Sequence, residues 1–400
     1  PPPPPLQSMT TESTPAAPRT PFWRNAGVLR VFVQLVGLGV IAFILYVLWF
    51  NLTNNLRRQG IPTSFDFLDQ PGGVNIADAD ISAGASVSRF LWLGIKNTFA
   101  LAVFGIPLLT IIGVIVGVAR LSTNWVVAKL AALYVEVLRN TPPLLVIFLV
   151  FYVVILPLPT IADPATPLGL FVITNRRIAI PWFESVAANA QLLWMITAAL
   201  AVIAIAIGWW RTRLNDRTGI PHRRILWGGG FLIAGAVATW ALLGQPVQIS
   251  VPQPAGRIVE GGLSGLGAYF AVLIALVLYT ASHVAEIVRG SILAVPRGQG
   301  EAANALALSG FQRLRYVILP QAMRIAIPPV INQYLNYVKN TSLAIAIGYA
   351  EITTIVFQAI GNGNPAPQLI LLLMASYLLF SLSISLVVNF FNTRLQLVTR

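Results

Sequence analysis

Long apolar runs constrain the fold of this chain more than any other feature of its sequence. The run from Val28 to Phe50 contains one charged residue, Arg30, and several runs of similar length follow it. A helix of about 20 apolar residues crosses the roughly 30 Å hydrocarbon core of a bilayer. The pattern predicts an all-α, polytopic membrane protein with eight spans, at about 28–50, 92–119, 130–156, 188–210, 225–243, 265–289, 325–356 and 369–391.

Arginine and lysine are distributed unequally between the two sets of loops that these spans define. If the N-terminus lies inside, 17 of the 26 basic residues fall at the cytoplasmic face and seven fall outside. Cytoplasmic loops carry the excess of basic residues in membrane proteins. The asymmetry predicts that both termini are cytoplasmic. Because the net charge of +13 is spread over the ends of spans, it indicates contact with a membrane surface and not with nucleic acid.

Residues 1–27 precede the first span and are predicted to form a disordered cytoplasmic tail, because their polar, proline-rich start cannot bury a core. The first span, 28–50, is longer than the apolar core of a signal peptide and lacks a small-residue cleavage site. We therefore expect it to be retained in the membrane. Residues 51–90 are predicted to form a periplasmic loop.

Several kinds of chemistry are excluded by what the sequence lacks. It has no cysteine and two histidines, which leaves little for a metal site. No glycine-rich loop ending in Gly-Lys-Ser or Gly-Lys-Thr is present, so the chain cannot hydrolyse ATP by that chemistry. Paired carboxylates and nucleophile triads are also missing. These absences predict a protein that is not an enzyme and holds no cofactor of its own.

A polar segment, "EAANALALSGFQRLRYVILP" at 301–320, interrupts the apolar pattern on the predicted cytoplasmic side. Its composition favours a helix, Gly310 permits a bend, and Pro320 marks the return to the next span. A helix this short needs a surface to dock against. From the residues alone, the segment is either an amphipathic loop at the membrane interface or a contact for a second protein.

The same segment resembles the EAA loop of bacterial ABC import permeases, through Glu301-Ala302-Ala303 and the run Val317-Ile318-Leu319-Pro320. The family commonly has glycine where this chain has Ala307, and we expect the alanine to keep the turn helical. The resemblance implies that the loop, 296–322, is the coupling helix that enters a cleft of an ATP-binding subunit. The residues it assigns to that coupling are Gly300, Glu301, Ala302, Ala303, Ala307, Gly310, Leu319 and Pro320.

Further stretches extend the resemblance to the polar amino-acid uptake branch of these permeases. They include "YVEVLRNTPPLLVIFLVFY" at 134–152 and most of 285–344, so the similarity covers roughly 90–156 and 265–395. Such permeases have a type I core of five spans, which makes 28–50, 188–210 and 225–243 additions. This arrangement resembles the larger permease subunits of general L-amino-acid systems. It predicts a core in two parts, 91–156 and 265–395, separated by an insertion at 157–264 that holds periplasmic segments and two of the extra spans.

The resemblance also implies partners. An ATP-binding subunit dimer would hold ATP and Mg, a homologous permease subunit would complete a heterodimer, and a periplasmic protein would deliver amino acids in a bacterial inner membrane. Two rival classes are an ion-coupled secondary amino-acid transporter and a membrane scaffold. The first often shows an inverted repeat or a chain of intramembrane acids, neither of which is evident here.

Ionisable residues inside spans are costly and therefore informative. Glu136 and Arg139 lie three residues apart and share a helical face. They form either an ion pair near the interface or, for Arg139 with Asn140, Thr141 and the break at Pro142-Pro143, the wall or gate of a pathway.

Two further polar groups fall within spans. On one helix, Arg289 is expected to extend to the cytoplasmic surface, His283 to be hydrogen-bonded in the interior, and Glu286 to face Arg139 or Lys339. In the other group, Lys339, Asn340, Thr341 and Ser342 either line a passage for the substrate carboxylate or have a structural role. In the structural alternative, Lys339 is the counter-ion of Glu286 or Glu351, and the hydroxyls bond to their own helix.

Overall fold

The computed structural model describes residues 26–62, 64–73, 81–82, 84–219, 223–256 and 258–395. It divides into two compact units, 1–65 and 66–400. The predicted tail, 1–27, lies outside the described residues except for its last two, which begin the first helix.

Twelve α-helices form within the described residues. They are α1 Ala26–Arg58, α2 Val87–Ala119, α3 Trp125–Arg139, α4 Pro143–Leu149, α5 Ala190–Thr218, α6 Arg224–Leu242, α7 Gly267–Leu293, α8 Arg297–Ala305, α9 Gly310–Arg313, α10 Leu319–Asn340, α11 Ile352–Gly361 and α12 Ala366–Leu395. Helical turns of other types extend α4 over Val150–Ile155, join α9 to α10 over Leu314–Ile318, and continue α10 over Thr341–Ile347.

Six of the described helices are long and apolar enough to cross a membrane, and the number rises to eight if each of two bent pairs is one span. The mostly helical, polytopic fold predicted from the sequence is therefore confirmed. One bent pair, Trp125–Arg139 with Pro143–Ile155, turns through 108°. The other, Gly310–Ile347 with Ile352–Gly361, turns through 46°. The predicted span 130–156 is thus two segments that meet at the Pro142-Pro143 break.

The core of the second unit is built around α7, which packs against α2, α3, α4 and α10. Small residues on α2 allow this close approach: a Cβ added at Gly117 would lie 2.7 Å from the carbonyl oxygen of Ala285. At Gly105 an added Cβ would overlap the side chain of Tyr337, which is fully buried and donates a hydrogen bond to the Leu101 carbonyl oxygen at 2.9 Å. Small residues at helix interfaces are the usual means by which membrane helices approach each other.

Short strands, which the sequence had not suggested, surround the α5–α6 hairpin. The described strands are β1 Val172–Ile173, β2 Arg177–Ile180, β3 Trp182–Ser185, β4 Val247–Ser250, β5 Gln253–Ala255, β6 Ile258–Glu260 and β7 Leu263–Leu266. All pairs are antiparallel, in the orders β1-β2-β7, β3-β4 and β5-β6. Because β2 and β3 precede the hairpin and β4 and β7 follow it, these ladders join the two ends of the insertion. The domain boundaries predicted from the sequence stay a prediction.

Candidate functional site

The segment 296–322 begins shortly after α7 ends at Leu293. It contains two short helices, α8 and α9, joined by a sharp turn, and the residues that lead into α10. Helix α8 ends in a Schellman arrangement, in which Leu308 N–H donates to the Ala303 carbonyl oxygen at 3.2 Å and Ala307 N–H to that of Asn304 at 2.9 Å. Helix α9 starts with a capping box between Ser309 and Gln312. Both ends of the turn are therefore fixed by hydrogen bonds.

Ala307 is the residue at which the chain reverses. Its φ of 53° lies in the left-handed region, which explains why a glycine would suit this position. The expectation that alanine keeps the turn helical is therefore wrong. The predicted bend at Gly310 is also displaced, because Gly310 is the first residue of α9.

The exposed surface of this segment is partly apolar. Leu306, Phe311 and Tyr316 are 75%, 68% and 64% exposed, and Glu301 is exposed beside them. Ala303 on the opposite side of α8 is buried. Large apolar side chains exposed on a polar segment make it a candidate surface for contact with a partner.

Polar bonds connect the parts of this segment to one another. Arg313 in α9 donates to the Asn304 side chain in α8 at 2.8 Å. Gln321 in α10 donates to the Gln299 side chain in α8 at 3.2 Å. Since α7 leads into α8 and α10 follows α9, these bonds and the chain itself join the segment to two helices of the core.

A carboxylate surrounded by three arginines lies in α7 close to this segment. Glu286 forms an ion pair with Arg120, which follows α2, and with Arg289 on its own helix at 2.5 Å. Arg139, at the end of α3, is 3.7 Å away. The side chains of Glu286 and Arg120 are 24% and 14% exposed. We call these four residues the Glu286 cluster. The cluster connects the ends of α2 and α3 to α7. Glu286 lies seven residues before the end of α7, which is about 10 Å along the helix axis.

The cluster decides several alternatives that the sequence left open. Arg139 pairs with Glu286 and not with Glu136, so the predicted Glu136–Arg139 ion pair is absent among the described residues. Arg289 bonds to Glu286 and does not simply extend to the surface. Arg120, for which the sequence predicted no partner, is the missed member of the cluster. No local signal identifies its partner, because the two residues are 166 positions apart.

His283 was expected to be hydrogen-bonded in the interior. Its Nε2 atom is buried and has no hydrogen-bond partner in the described part of the chain. The ring packs edge-on against Tyr279, with 4.9 Å between centroids. The hydrogen bond predicted for His283 is therefore not formed by this nitrogen.

The group at 339–342 divides into an exposed charge and hydroxyls that bond to their own helix. Thr341 donates to the Val338 carbonyl oxygen at 2.7 Å, and Ser342 to that of Lys339 at 2.8 Å. Lys339 is exposed and forms no ion pair with any described residue. It is thus not the counter-ion of Glu286.

Glu351 is not a partner for Lys339 either. Its buried carboxylate caps α11, accepting bonds from the backbone N–H groups of Thr353 and Thr354 at 3.0 and 2.8 Å. The Tyr377 hydroxyl donates to it at 3.1 Å. These local bonds satisfy a charge that would otherwise be costly to bury.

Asn140 and Thr141 lie at the break between α3 and α4. Asn140 is the C-cap residue of α3, and the Thr141 hydroxyl donates to the Val137 carbonyl oxygen at 2.7 Å. Pro143 then opens α4, where its missing N–H costs no helical hydrogen bond. At this break Arg139, one residue of the predicted pathway wall, lies 3.7 Å from the Glu286 carboxylate and so belongs to the Glu286 cluster.

The described residues form a bundle of apolar helices that carries a capped polar segment between two of its core helices, an architecture expected of a polytopic membrane protein. The family model described as "Binding-protein-dependent transport system inner membrane component" matches residues 229–397. Relatives at more than 30% identity match over nearly their full lengths. The chain belongs to this family, the permease subunits of ABC importers, and the resemblance inferred from its sequence is confirmed.

Three relatives illustrate the similarity. The chain is 37% identical to "General L-amino acid transport system permease protein AapQ" of Rhizobium johnstonii, over 92% of this chain and 93% of the relative. It is 36% identical to "Putative amino-acid ABC transporter permease protein YhdX" of Escherichia coli K12, over 94% and 96%. It is 34% identical to "Glutamate/glutamine/aspartate/asparagine transport system permease protein BztB" of Rhodobacter capsulatus, over 92% and 94%.

Proposed function

We propose that this chain is the permease of an importer for L-amino acids and that it receives motion from a separate ATP-binding subunit docked on the segment 296–322. The observation that carries this proposal is the exposed set Leu306, Phe311 and Tyr316 on a turn fixed by hydrogen bonds. The names of the relatives supply the class of cargo. Ion-coupled secondary transport gains no support from them.

The docking surface has the composition of a small interface. Aromatic and apolar side chains supply buried area at the centre of such contacts, and charged residues at their rim select the partner. Phe311 and Leu306 fit the first role, and Glu301 with Arg315 fits the second, since both charged residues are exposed. In this proposal Gly300, Ala302, Ala303, Gly310, Leu319 and Pro320 shape the segment without forming its contacts.

Motion of the segment would reach the spans through two routes. Helix α8 follows α7, and its bond to Gln321 joins it to α10, so both core helices move with the docked surface. The Glu286 cluster then ties α7 to the ends of α2 and α3. A change in nucleotide state on the partner would shift the permease between two arrangements of these spans, since it acts on a coupled two-state element.

We assign ATP binding, delivery of the substrate and completion of the pathway to other subunits of the importer. ATP and Mg would be bound by a dimer of ATP-binding subunits, and a periplasmic protein would deliver the amino acid. A homologous permease subunit would complete the pathway as a heterodimer. The proposal sets the segment 296–322 and both termini in the cytoplasm of a bacterium, at its inner membrane.

Lys339 is the residue that we propose to meet the substrate. It is a cation without an ion-pair partner among the described residues, and an amino acid presents a carboxylate. Asn340 and Ser342 beside it offer further polar groups, whereas Thr341 is buried. Arg139, Asn140, Thr141 and Glu286 would act less directly, by holding the break between α3 and α4 in place.

Glu301→Lys tests the docking surface. The variant reverses an exposed charge without altering a buried contact, so the protein should insert and fold normally. We expect it to lose assembly with the ATP-binding subunit, or stimulation of its ATPase activity, in reconstituted vesicles. The matched control is Glu184→Lys, which reverses the charge of another exposed residue, on β3, and should leave coupling intact. Normal ATP-driven uptake by Glu301→Lys would contradict the proposed role of the segment.

A further inference from the structure

The β3–β4 ladder is fixed to the ends of two spans, α5 and α6. Val247 at the start of β4 forms a small buried cluster with Ala190 and Leu193 in the first turn of α5. The Trp240 indole N–H, in the last turn of α6, donates to the Val247 carbonyl oxygen at 2.6 Å. The ladder therefore lies directly against one end of the α5–α6 hairpin.

The level of this end in a bilayer follows from the length of α6. Its apolar part, Ile225–Leu242, has 18 residues and is about 27 Å long at about 1.5 Å per residue. The hydrocarbon core is about 30 Å thick, so a span of this length ends close to each boundary of the core. Leu242 therefore lies near one boundary. Because β4 starts only five residues later, at Val247, the ladder lies near the level of the lipid headgroups.

The two faces of the ladder differ in polarity. Residues that pair directly across an antiparallel ladder point to the same face, and successive residues of a strand alternate between faces. The mainly apolar face holds two cross-strand pairs, Ser185 with Val247 and Phe183 with Ile249. The other face holds the alternate pairs, Glu184 with Gln248 and Trp182 with Ser250. The ladder is therefore amphipathic, apart from one tryptophan at the end of its polar face.

The apolar face is the one turned toward the hairpin and its membrane. Val247 belongs to this face and packs against α5. Ile249 follows on the same face about 7 Å further along the strand. Ile249 and its partner Phe183 are 66% and 56% exposed, so the described chain leaves most of their apolar surface uncovered. Glu184 and Gln248 are exposed on the opposite face, away from the hairpin.

We propose that the apolar face of the β3–β4 ladder rests on the lipid leaflet that surrounds this end of the hairpin. Phe183 and Ile249 insert below the headgroups, and Glu184 stays in water. An amphipathic element in this position buries its apolar side about 5–10 Å into the boundary between headgroups and acyl chains. The Trp182 ring, which meets that of Phe183 edge-on with 6.0 Å between centroids, fits the headgroup level, where tryptophan is enriched.

Lipid is the occupant because the patch continues an apolar surface of the spans themselves. Leu192, Trp194 and Met195, near the same end of α5, are 46%, 50% and 70% exposed. Helices α5 and α6 pack mainly against each other, and most of their apolar surface is left for lipid. Contact of the ladder with the leaflet adds an attachment that fixes the depth of the hairpin. In the orientation proposed above, this leaflet is the periplasmic one.

Single cysteines on the two faces test the proposal, since the chain has none of its own. Ile249→Cys and Phe183→Cys report on the apolar face. Their neighbours Gln248→Cys and Glu184→Cys are the matched controls on the polar face, and all four positions are exposed. Each full-length variant carries an environment-sensitive nitrobenzoxadiazole label in lipid vesicles, with iodide on both sides of the membrane. We expect iodide to quench the labels at 249 and 183 severalfold less than those at 248 and 184. Equal quenching on the two faces would overturn the proposal.

Lipids that carry a nitroxide distinguish cover by lipid from cover by protein. A nitroxide at the top of the acyl chain should quench the label at 249 more than one near the end of the chain. Val202→Cys, 68% exposed at the middle of the span Ala190–Asn215, should show the opposite order. The measurements are then repeated in the complete importer. Shielding of 249 from iodide without quenching by lipid nitroxides, or shielding that appears only with the other subunits present, would assign the face to a protein partner and contradict the proposal.

Discussion

Replacing Glu286 with glutamine removes the charge of the Glu286 cluster while keeping its size. Arg289, three residues along the same helix, contributes about 0.2–0.5 kcal/mol. Arg120 reaches the carboxylate from another helix and is largely shielded from solvent, and a hydrogen bond to a charged group contributes roughly 1.5–3 kcal/mol. Arg139, 3.7 Å away and 41% exposed, adds less than about 1 kcal/mol. Since glutamine still accepts one hydrogen bond, we expect a net loss of roughly 2 kcal/mol.

The assay is thermal unfolding of the purified chain in detergent, followed by the fluorescence of its ten tryptophans. A loss of this size should lower the midpoint by about 2–5 °C. Glu136→Gln is the matched control: Glu136 is exposed on α3 and forms no ion pair within the described residues. Its change should stay within about 0.5 kcal/mol. An unchanged midpoint in Glu286→Gln, or equal changes in both variants, would refute the reasoning.

Three further changes follow from the geometry. Ala307→Gly removes the strain of a left-handed alanine, about 1 kcal/mol, and adds an entropic cost of folding of about 0.5 kcal/mol. Hydrogen exchange over 303–309 should therefore slow about twofold, and faster exchange would contradict the Schellman turn. Lys339→Met should reduce uptake severalfold with an unchanged unfolding midpoint, and normal uptake would make Lys339 structural. Gly117→Ala drives a Cβ against α7 and should cost about 1–3 kcal/mol by thermal unfolding, whereas Gly290→Ala, with open space around it, should not; similar midpoints would argue against close α2–α7 packing.

Much of the fold could be predicted from the sequence because the bilayer imposes a simple rule on apolar length. The run 92–119 predicted a span and is found as α2, Val87–Ala119. The break within 130–156 was visible in Pro142-Pro143, since proline disrupts helical hydrogen bonds. The angle of 108° was not visible, because it depends on packing against α7.

The contacts of the candidate site were harder to predict. Glu136 and Arg139 satisfied the spacing rule for a helical ion pair, yet Arg139 lies at ion-pair distance, 3.7 Å, from Glu286 across the bundle. A spacing rule describes one helix, and tertiary contacts override it. The strand ladders around the α5–α6 hairpin were missed for a related reason. Strands of two to four residues carry little alternation, and β3 pairs with β4 more than 60 residues later.

The turn at Ala307 shows where a family pattern was more informative than propensity. Alanine is the best helix former, so the residue alone predicted a continuous helix. A glycine, which the family commonly has at this position, suits the left-handed conformation that the structure has here. The local rule failed at the point where the exposed segment reverses direction, the same point at which docking to a partner is proposed.

The central claim is that an ATP-binding subunit contacts the segment 296–322. The chain has no cysteine, so a single cysteine at Leu306 can carry a photoactivated benzophenone, with one at the comparably exposed Leu168 as the control. Irradiation of cells that express the complete importer, followed by identification of the attached protein, tests the contact directly. We predict that position 306 attaches to the ATP-binding subunit and position 168 does not. Attachment of that subunit at 168 but not at 306 would contradict the account.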